Sequence, residues 1–64
     1  MNIIIELKEI VQTHSGKEIE GKLIDVQTAN AIVTVYEALG EQNQNKFKEH
    51  SIEKMANIAW KLLQ

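Results

Sequence analysis

The sequence predicts an all-α protein, a single domain of residues 1–64 with three to four helices, which forms a helical homodimer. The chain has 64 residues, near the size at which one hydrophobic core becomes marginal. Apolar residues recur at helical spacing along most of it. It contains no proline, and Gly16, Gly21 and Gly40 are the natural boundaries between segments. The predicted helices cover about residues 3–14, 25–39, 43–50 and 51–63.

The first predicted helix, residues 3–14, has one apolar stripe at 100° per residue. The stripe contains Ile3, Ile4, Leu7, Ile10, Val11 and His14. The opposite side contains Glu6, Lys8, Glu9 and Gln12. Ile5 falls on the polar side and is expected to be exposed. A strand over "NIIIEL" is the alternative, but the continuation of the stripe to His14 favours a helix.

The connector, residues 15–24, is charged and interrupted by glycines. Gly16 suits the left-handed residue that follows a helix. Leu23 and Ile24 are expected to fold back onto the core. A short extended piece is compatible with the same letters.

Residues 25–39 are rich in β-branched side chains, yet they are predicted to be helical. As a strand they would be apolar on both faces, which requires neighbouring strands. Asp25 can cap the helix, and Gly40 can take the left-handed position after it. One polar stripe of about 80° contains Gln27, Asn30, Thr34 and Glu37. An arc of roughly 220° contains Val26, Ala29, Ala31, Ile32, Val33, Val35, Tyr36, Ala38 and Leu39.

The last two helices are predicted from one aromatic anchor and one strong amphipathic pattern. Phe47 is the apolar anchor of the polar segment 41–50. Ser51 is a good N-cap for the final helix, and Glu53 suits its positive end. An arc of roughly 200° there contains Ile52, Met55, Ala56, Ile58, Ala59, Trp60, Leu62 and Leu63.

Two such wide arcs exceed the stripe of somewhat over 100° that a surface helix needs. A central position for helix 25–39 accounts for one arc. A second copy, packed about a two-fold axis, accounts for both. The candidate self-association residues are Val26, Ala29, Ile32, Val33, Val35, Tyr36, Ile58, Trp60 and Leu62.

Composition argues against several classes of function. The chain has no cysteine, which excludes disulfides and thiolate metal sites. A metal site from His14, Glu18 and Glu20 is disfavoured because the three straddle a glycine. No nucleophile, phosphate-loop or HExxH pattern is present, so no enzyme activity, cofactor or small-molecule substrate is expected. No apolar run approaches the ~20 residues of a membrane span, and no secretory segment is evident.

The C-terminal two-thirds resembles a group of small proteins encoded by phages and prophages. The shared pattern is D-x-Q-T-A, then K-F, then K-M-x-x-I-A-W-K-L. The matching residues are Asp25, Gln27, Thr28, Ala29, Lys46, Phe47, Lys54, Met55, Ile58, Ala59, Trp60, Lys61 and Leu62. The resemblance implies a phage accessory protein in the cytoplasm of a bacterial host. It carries over no functional residue, because no activity is attached to the group.

Small, acidic, cysteine-free phage proteins are often inhibitors of host defence, so the predicted function is steric inhibition of a bacterial host protein. Two sets of residues are the candidate contacts. An acidic rim contains Glu6, Glu9, Glu18 and Glu20, and the polar stripe contains Gln27, Asn30, Thr34 and Glu37. The rival is a small DNA-binding regulator that uses Lys46, Lys48, Lys54 and Lys61. A net charge of −2 makes nucleic acid the less expected partner.

Overall fold

A computed structural model describes residues 2–63 and is mostly helical over that range. The elements are α1 (Ile3–Thr13), β1 (Lys17–Ile19), β2 (Lys22–Ile24), α2 (Val26–Ala38), α3 (Glu41–Phe47) and α4 (Ile52–Leu62). The four predicted helices are confirmed. The ends of α1, α2 and α4 agree with the prediction to within one residue, whereas α3 begins two residues earlier and ends three residues earlier than predicted. The all-α prediction is corrected by a two-stranded antiparallel sheet in the connector.

Three helices begin at a side-chain cap that accepts a backbone N–H. Asp25 Oδ1 accepts from the Thr28 amide at 2.8 Å, and Ser51 Oγ accepts from the Lys54 amide at 3.2 Å. Both caps were predicted from the sequence and are confirmed. Asn2 does the same for α1, where its Oδ1 accepts from the Ile4 amide at 3.0 Å. Local sequence therefore defines where these helices start.

The helix C-termini differ from the sequence prediction. After α1 the left-handed residue is His14, with φ 56°, and Gly16 does not take that conformation. After α2 the chain leaves through Leu39 in an extended conformation. Gly40 has φ −69° and is the N-cap of α3, where its carbonyl accepts from the Gln44 amide at 2.8 Å. Because α3 starts immediately, Gly40 takes an extended conformation instead of a left-handed one.

The connector forms a β-hairpin with a two-residue turn. Glu20 and Gly21 have φ 53° and 77°, the positive pair that a type I′ turn requires. The register pairs Lys17 with Ile24, Glu18 with Leu23 and Ile19 with Lys22. One face of the hairpin therefore turns Ile19 and Ile24 into the core.

Leu23 lies on the other face of the hairpin with its partner Glu18, and 79% of Leu23 is exposed. The prediction that Leu23 folds back onto the core is wrong, whereas Ile24 is buried as predicted. The reason is the two-residue period of a strand, which cannot bury two consecutive side chains on the same face.

The core is centred on α2, which packs against α1, α3 and α4. The buried apolar residues are Ile4, Leu7, Ile10, Ile19, Ile24, Ala29, Ala31, Ile32, Val33, Val35, Phe47, Ile52, Met55 and Ala59. Phe47 anchors α3 as predicted, and Ile5 is exposed as predicted. The β-branched content of α2 is explained by this central position, since packing offsets its weak helix propensity.

Candidate interaction surfaces

The wide apolar arc of α2 is largely covered by the chain itself. Ala29, Ile32, Val33 and Val35 were predicted self-association residues, but each is at most 8% exposed in the core. In this fold they offer little surface to a second copy, and their role in self-association stays a prediction. Two others in the predicted set, Val26 and Tyr36, are half-buried against the core.

The apolar arc of α4 is covered only over its first two turns. Ile52, Met55, Ala59 and Leu62 follow one another at spacings of three, four and three residues, and so share one side of the helix. Their exposed fractions are 1%, 0%, 0% and 62% in that order. The seam that packs against the core is therefore open at its C-terminal end.

Two further large side chains are exposed within two residues of Leu62 in the sequence. Trp60 is 43% exposed and Leu63 is 48% exposed. We call Trp60, Leu62 and Leu63 the apolar end of α4. Trp60 and Leu62 were predicted self-association residues and remain available for that role, while Ile58 is half-buried. Leu63 was missed, although it continues the apolar arc of the helix.

Within residues 60–63, the apolar end of α4 includes one charged side chain, Lys61. Every aspartate and glutamate of the chain lies at or before residue 53, and Lys54 and Lys61 are the charged residues of the segment 54–63. Both lysines are exposed. This end of α4 therefore combines apolar side chains with positive charge in a chain whose net charge is −2.

The hairpin is attached to the other end of α4. Glu20 Oε1 accepts from the Ile52 amide at 3.2 Å, and Lys22 Nζ lies 3.4 Å from Glu53 Oε2. The first contact satisfies one of the amides that a helix N-terminus leaves without an intrahelical partner. The carboxylate of Glu20, predicted as a partner contact, thus also caps α4 across 32 residues of sequence.

We call Glu18 and Leu23 the hairpin face. They are cross-strand partners on the side of the hairpin that points away from Ile19 and Ile24. Both are exposed, and such pairs have Cβ atoms about 5 Å apart. The hairpin face therefore combines an apolar side chain with a negative charge.

The four carboxylates of the predicted acidic rim are in different environments. Glu6 Oε1 lies 3.2 Å from Lys17 Nζ, and only 16% of the Glu6 side chain is exposed. Its other oxygen, Oε2, is buried and has no hydrogen-bond partner among residues 2–63. Glu9 and Glu18 are exposed, whereas Glu20 is held at α4. These four residues therefore do not form a single rim of equivalent charges.

The polar stripe of α2 lies on the surface as predicted. Gln27, Asn30, Thr34 and Glu37 are all exposed. Glu37 also forms an exposed ion pair with Lys8 of α1, with Nζ and Oε2 3.6 Å apart. From residue 27 to residue 37 the stripe is about 15 Å long at 1.5 Å per residue. Its backbone belongs to the helix that contacts all the others.

Asp25 is the N-cap of α2 and precedes this stripe in the sequence. Hydrogen bonding from Thr28, through its side chain and then its backbone amide, holds the pKa of Asp25 below its usual value of 3.8. The carboxylate therefore stays ionised at the N-terminus of α2, where a negative charge is favourable.

The remaining sequence predictions concern the four lysines, a metal site and a membrane span. Lys46 and Lys48, like Lys54 and Lys61, are exposed. Over residues 2–63, no cluster of three His, Cys, Asp or Glu side chains is placed to hold a metal ion. Within that range, too, each helix is too short or too polar to cross a membrane.

Comparison with known proteins gave no match to a family model, to a curated protein or to a solved structure. The resemblance to phage and prophage proteins therefore stays a prediction, and the surfaces described above carry the functional argument.

Proposed function

We propose that this protein is a phage-encoded inhibitor that acts as a homodimer and binds a bacterial host protein of defence or regulation. The mechanism is steric: a preformed surface occupies the active or assembly site of the host protein. No chemistry on the partner is required for such inhibition.

The observation that supports protein binding, and the homodimer first, is the apolar end of α4. Buried residues from all six elements already fill the core, yet three large apolar side chains remain exposed within four residues. Single exposed apolar residues are normal on soluble proteins. A group of them that includes a tryptophan is typical of a protein-binding surface.

The polar stripe of α2 is the proposed contact with the host protein. It is exposed and is displayed by the central helix, so binding would order little additional backbone. Preorganisation of this kind lowers the entropic cost of association. Lys8 on the adjacent helix α1 extends the same polar surface through its ion pair with Glu37.

Capture from a bacterial lysate with the tagged protein tests this proposal. Unmodified protein should enrich a specific host protein, and the double variant Asn30→Arg with Thr34→Arg should lose it. Gln42→Arg is the matched control, because Gln42 is an exposed residue of α3. If nothing is enriched, or if all three proteins enrich the same material, the inhibitor proposal fails.

A DNA-binding regulator is the second candidate. It is supported by four exposed lysines that lie in α3, in α4 and at the residue directly after α3, namely Lys46, Lys48, Lys54 and Lys61. Glu53 shares the outer side of α4 with Lys54 and Lys61, which opposes phosphate binding. Binding to random duplex DNA at low salt tests this candidate, because the attraction between basic side chains and DNA phosphates is strongest at low salt. Retention that decreases steeply with salt would favour this candidate over the inhibitor.

A further inference from the structure

We infer that the apolar end of α4 docks on the hairpin face of a second copy, and that the reciprocal contact forms at the same time in a two-fold dimer. This inference rests on the proposed function, of which the homodimer is part. It goes further by naming the two surfaces that meet and the charges that select them.

The two surfaces lie at opposite ends of α4. The hairpin is held at the N-terminus of α4 by the Glu20–Ile52 and Lys22–Glu53 contacts. The apolar end lies about 15 Å away at 1.5 Å per residue. An antiparallel pairing of two α4 helices therefore brings the hairpin of one protomer to the apolar end of its partner.

The proposed interface has two-fold symmetry. A two-fold axis repeats every contact, so a hairpin that meets the apolar end of the partner implies an identical contact at the other end of the interface. The interface is closed, and a dimer results instead of an open filament. A closed dimer requires that the hairpin face and the apolar end of α4 be complementary to each other.

The two surfaces are chemically complementary. The apolar end offers Trp60 and Leu62 beside Lys61, and the hairpin face offers Leu23 beside Glu18. Apolar side chains would meet apolar side chains, and a lysine would meet a glutamate. Opposite charges at an interface contribute to partner choice and register, whereas like charges in contact are unfavourable.

The same surfaces explain two exposures that the single chain leaves without a partner. Leu23 is 79% exposed because the strand register turns it outward, and Leu62 is 62% exposed because the seam of α4 extends beyond the core. The antiparallel dimer would cover both residues with one kind of contact, made twice.

Charge reversal in separate proteins gives a direct test. In Glu18→Lys homodimers two lysines would face each other at each contact, and in Lys61→Glu homodimers two glutamates would do so. Each variant should self-associate at least about tenfold more weakly than the unmodified protein, as measured by sedimentation equilibrium, a loss of about 1.4 kcal/mol.

An equimolar mixture of the two variants should recover dimers. In a mixed dimer, one contact would pair the two introduced side chains, a lysine against a glutamate. The other contact would keep the original pair, Glu18 of one protomer against Lys61 of its partner. Both contacts would therefore join opposite charges again.

The controls reverse the same charges elsewhere on the surface. Glu9→Lys and Lys48→Glu change exposed residues outside both proposed surfaces, and each should sediment like the unmodified protein. Circular dichroism of every variant establishes that helical content is retained. An unfolded variant can be replaced by Glu18→Gln or Lys61→Gln, for which a smaller weakening is expected.

Each outcome separates the surface from the wider proposal. If the unmodified protein is a dimer and both reversals leave it unchanged, the surface inference is wrong and the dimer stands. If both reversals weaken association but their mixture does not recover it, the pairing of Glu18 with Lys61 is wrong. If the unmodified protein is a monomer throughout, the inference and the dimer both fail, while host capture still decides the inhibitor proposal.

Discussion

Helices α2 and α4 have a similar surplus of apolar residues in the sequence, but the fold treats the two differently. The arc of α2 is covered by α1, α3 and α4 together, and its buried residues run through the middle of the helix. The arc of α4 is covered over its first two turns and is open from Trp60 onward.

A surplus of apolar residues on a helix favours self-association only where the fold leaves those residues exposed. A helix at the centre of a small fold can be apolar nearly all round and still expose little. A helix that extends beyond its neighbours leaves apolar residues on the surface even when its stripe is regular. The proposed self-association therefore depends on the end of α4, and the central helix contributes little exposed apolar surface to it.

Substitutions in α2 and α4 should differ most in how much they lower the free energy of unfolding. Ile32→Ala in α2 should lower the free energy of unfolding by about 2–5 kcal/mol, because Ile32 is fully buried and its removal leaves a cavity. Leu62→Ala in α4 should cost under about 1 kcal/mol in dilute solution, as is usual at exposed positions. Chemical denaturation at low protein concentration measures both. Equal losses would contradict the comparison.

The next effect separates the helices by association. The double variant Leu62→Ser with Leu63→Ser should weaken self-association at least tenfold, which is about 1.4 kcal/mol. Its circular dichroism spectrum should match that of the unmodified protein, since both residues are exposed. Gln27→Ser with Thr34→Ser on the polar stripe is the control and should leave association unchanged. A dimer that persists in the leucine variant would remove α4 from the interface.

A smaller effect tests the attachment of the hairpin to α4. Glu20→Ala should reduce stability by about 0.5–1.5 kcal/mol, since the Ile52 amide loses its acceptor. Glu20→Gly should lose less, because glycine adopts the positive φ of this position without the cost that a side chain incurs. Thermal unfolding of the three proteins gives the order. A glycine variant less stable than the alanine variant would contradict this account of the turn.

The smallest effect concerns pH and the start of α2. Because the pKa of Asp25 is lowered in the folded protein, its contribution is complete above the ordinary value of 3.8 and is lost as pH falls through the folded pKa. Asp25→Asn keeps an oxygen acceptor but does not titrate. The advantage of the unmodified protein over this variant should therefore shrink in acid. An advantage that grew as pH fell would show that the sign is wrong.

Helix positions were predictable because their signals are local. The caps Asp25 and Ser51, the anchor Phe47 and the apolar spacing each depend on a few neighbouring residues, and each is confirmed. The roles of Gly16 and Gly40 were not predictable in this way. Whether a glycine ends one helix or begins the next depends on how soon the next element starts, as at Gly40.

The hairpin was the main omission, since a Glu-Gly turn between strands of three residues is a weak signal beside Asn-Gly or Asp-Gly. Without its register, the sequence could not place Leu23 outside and Ile24 inside. The candidate surfaces were predictable in part. The polar stripe of α2 followed from periodicity, but the burial of Ile32 and the exposure of Leu63 depend on where the neighbouring helices end.

The most direct test of the central claim, that the open end of α4 drives self-association, is sedimentation equilibrium of the unmodified protein at micromolar concentrations. We expect a mass of about twice the 7.3 kDa of one chain, and a return toward the single-chain mass on dilution. A mass of 7.3 kDa at every concentration would contradict it.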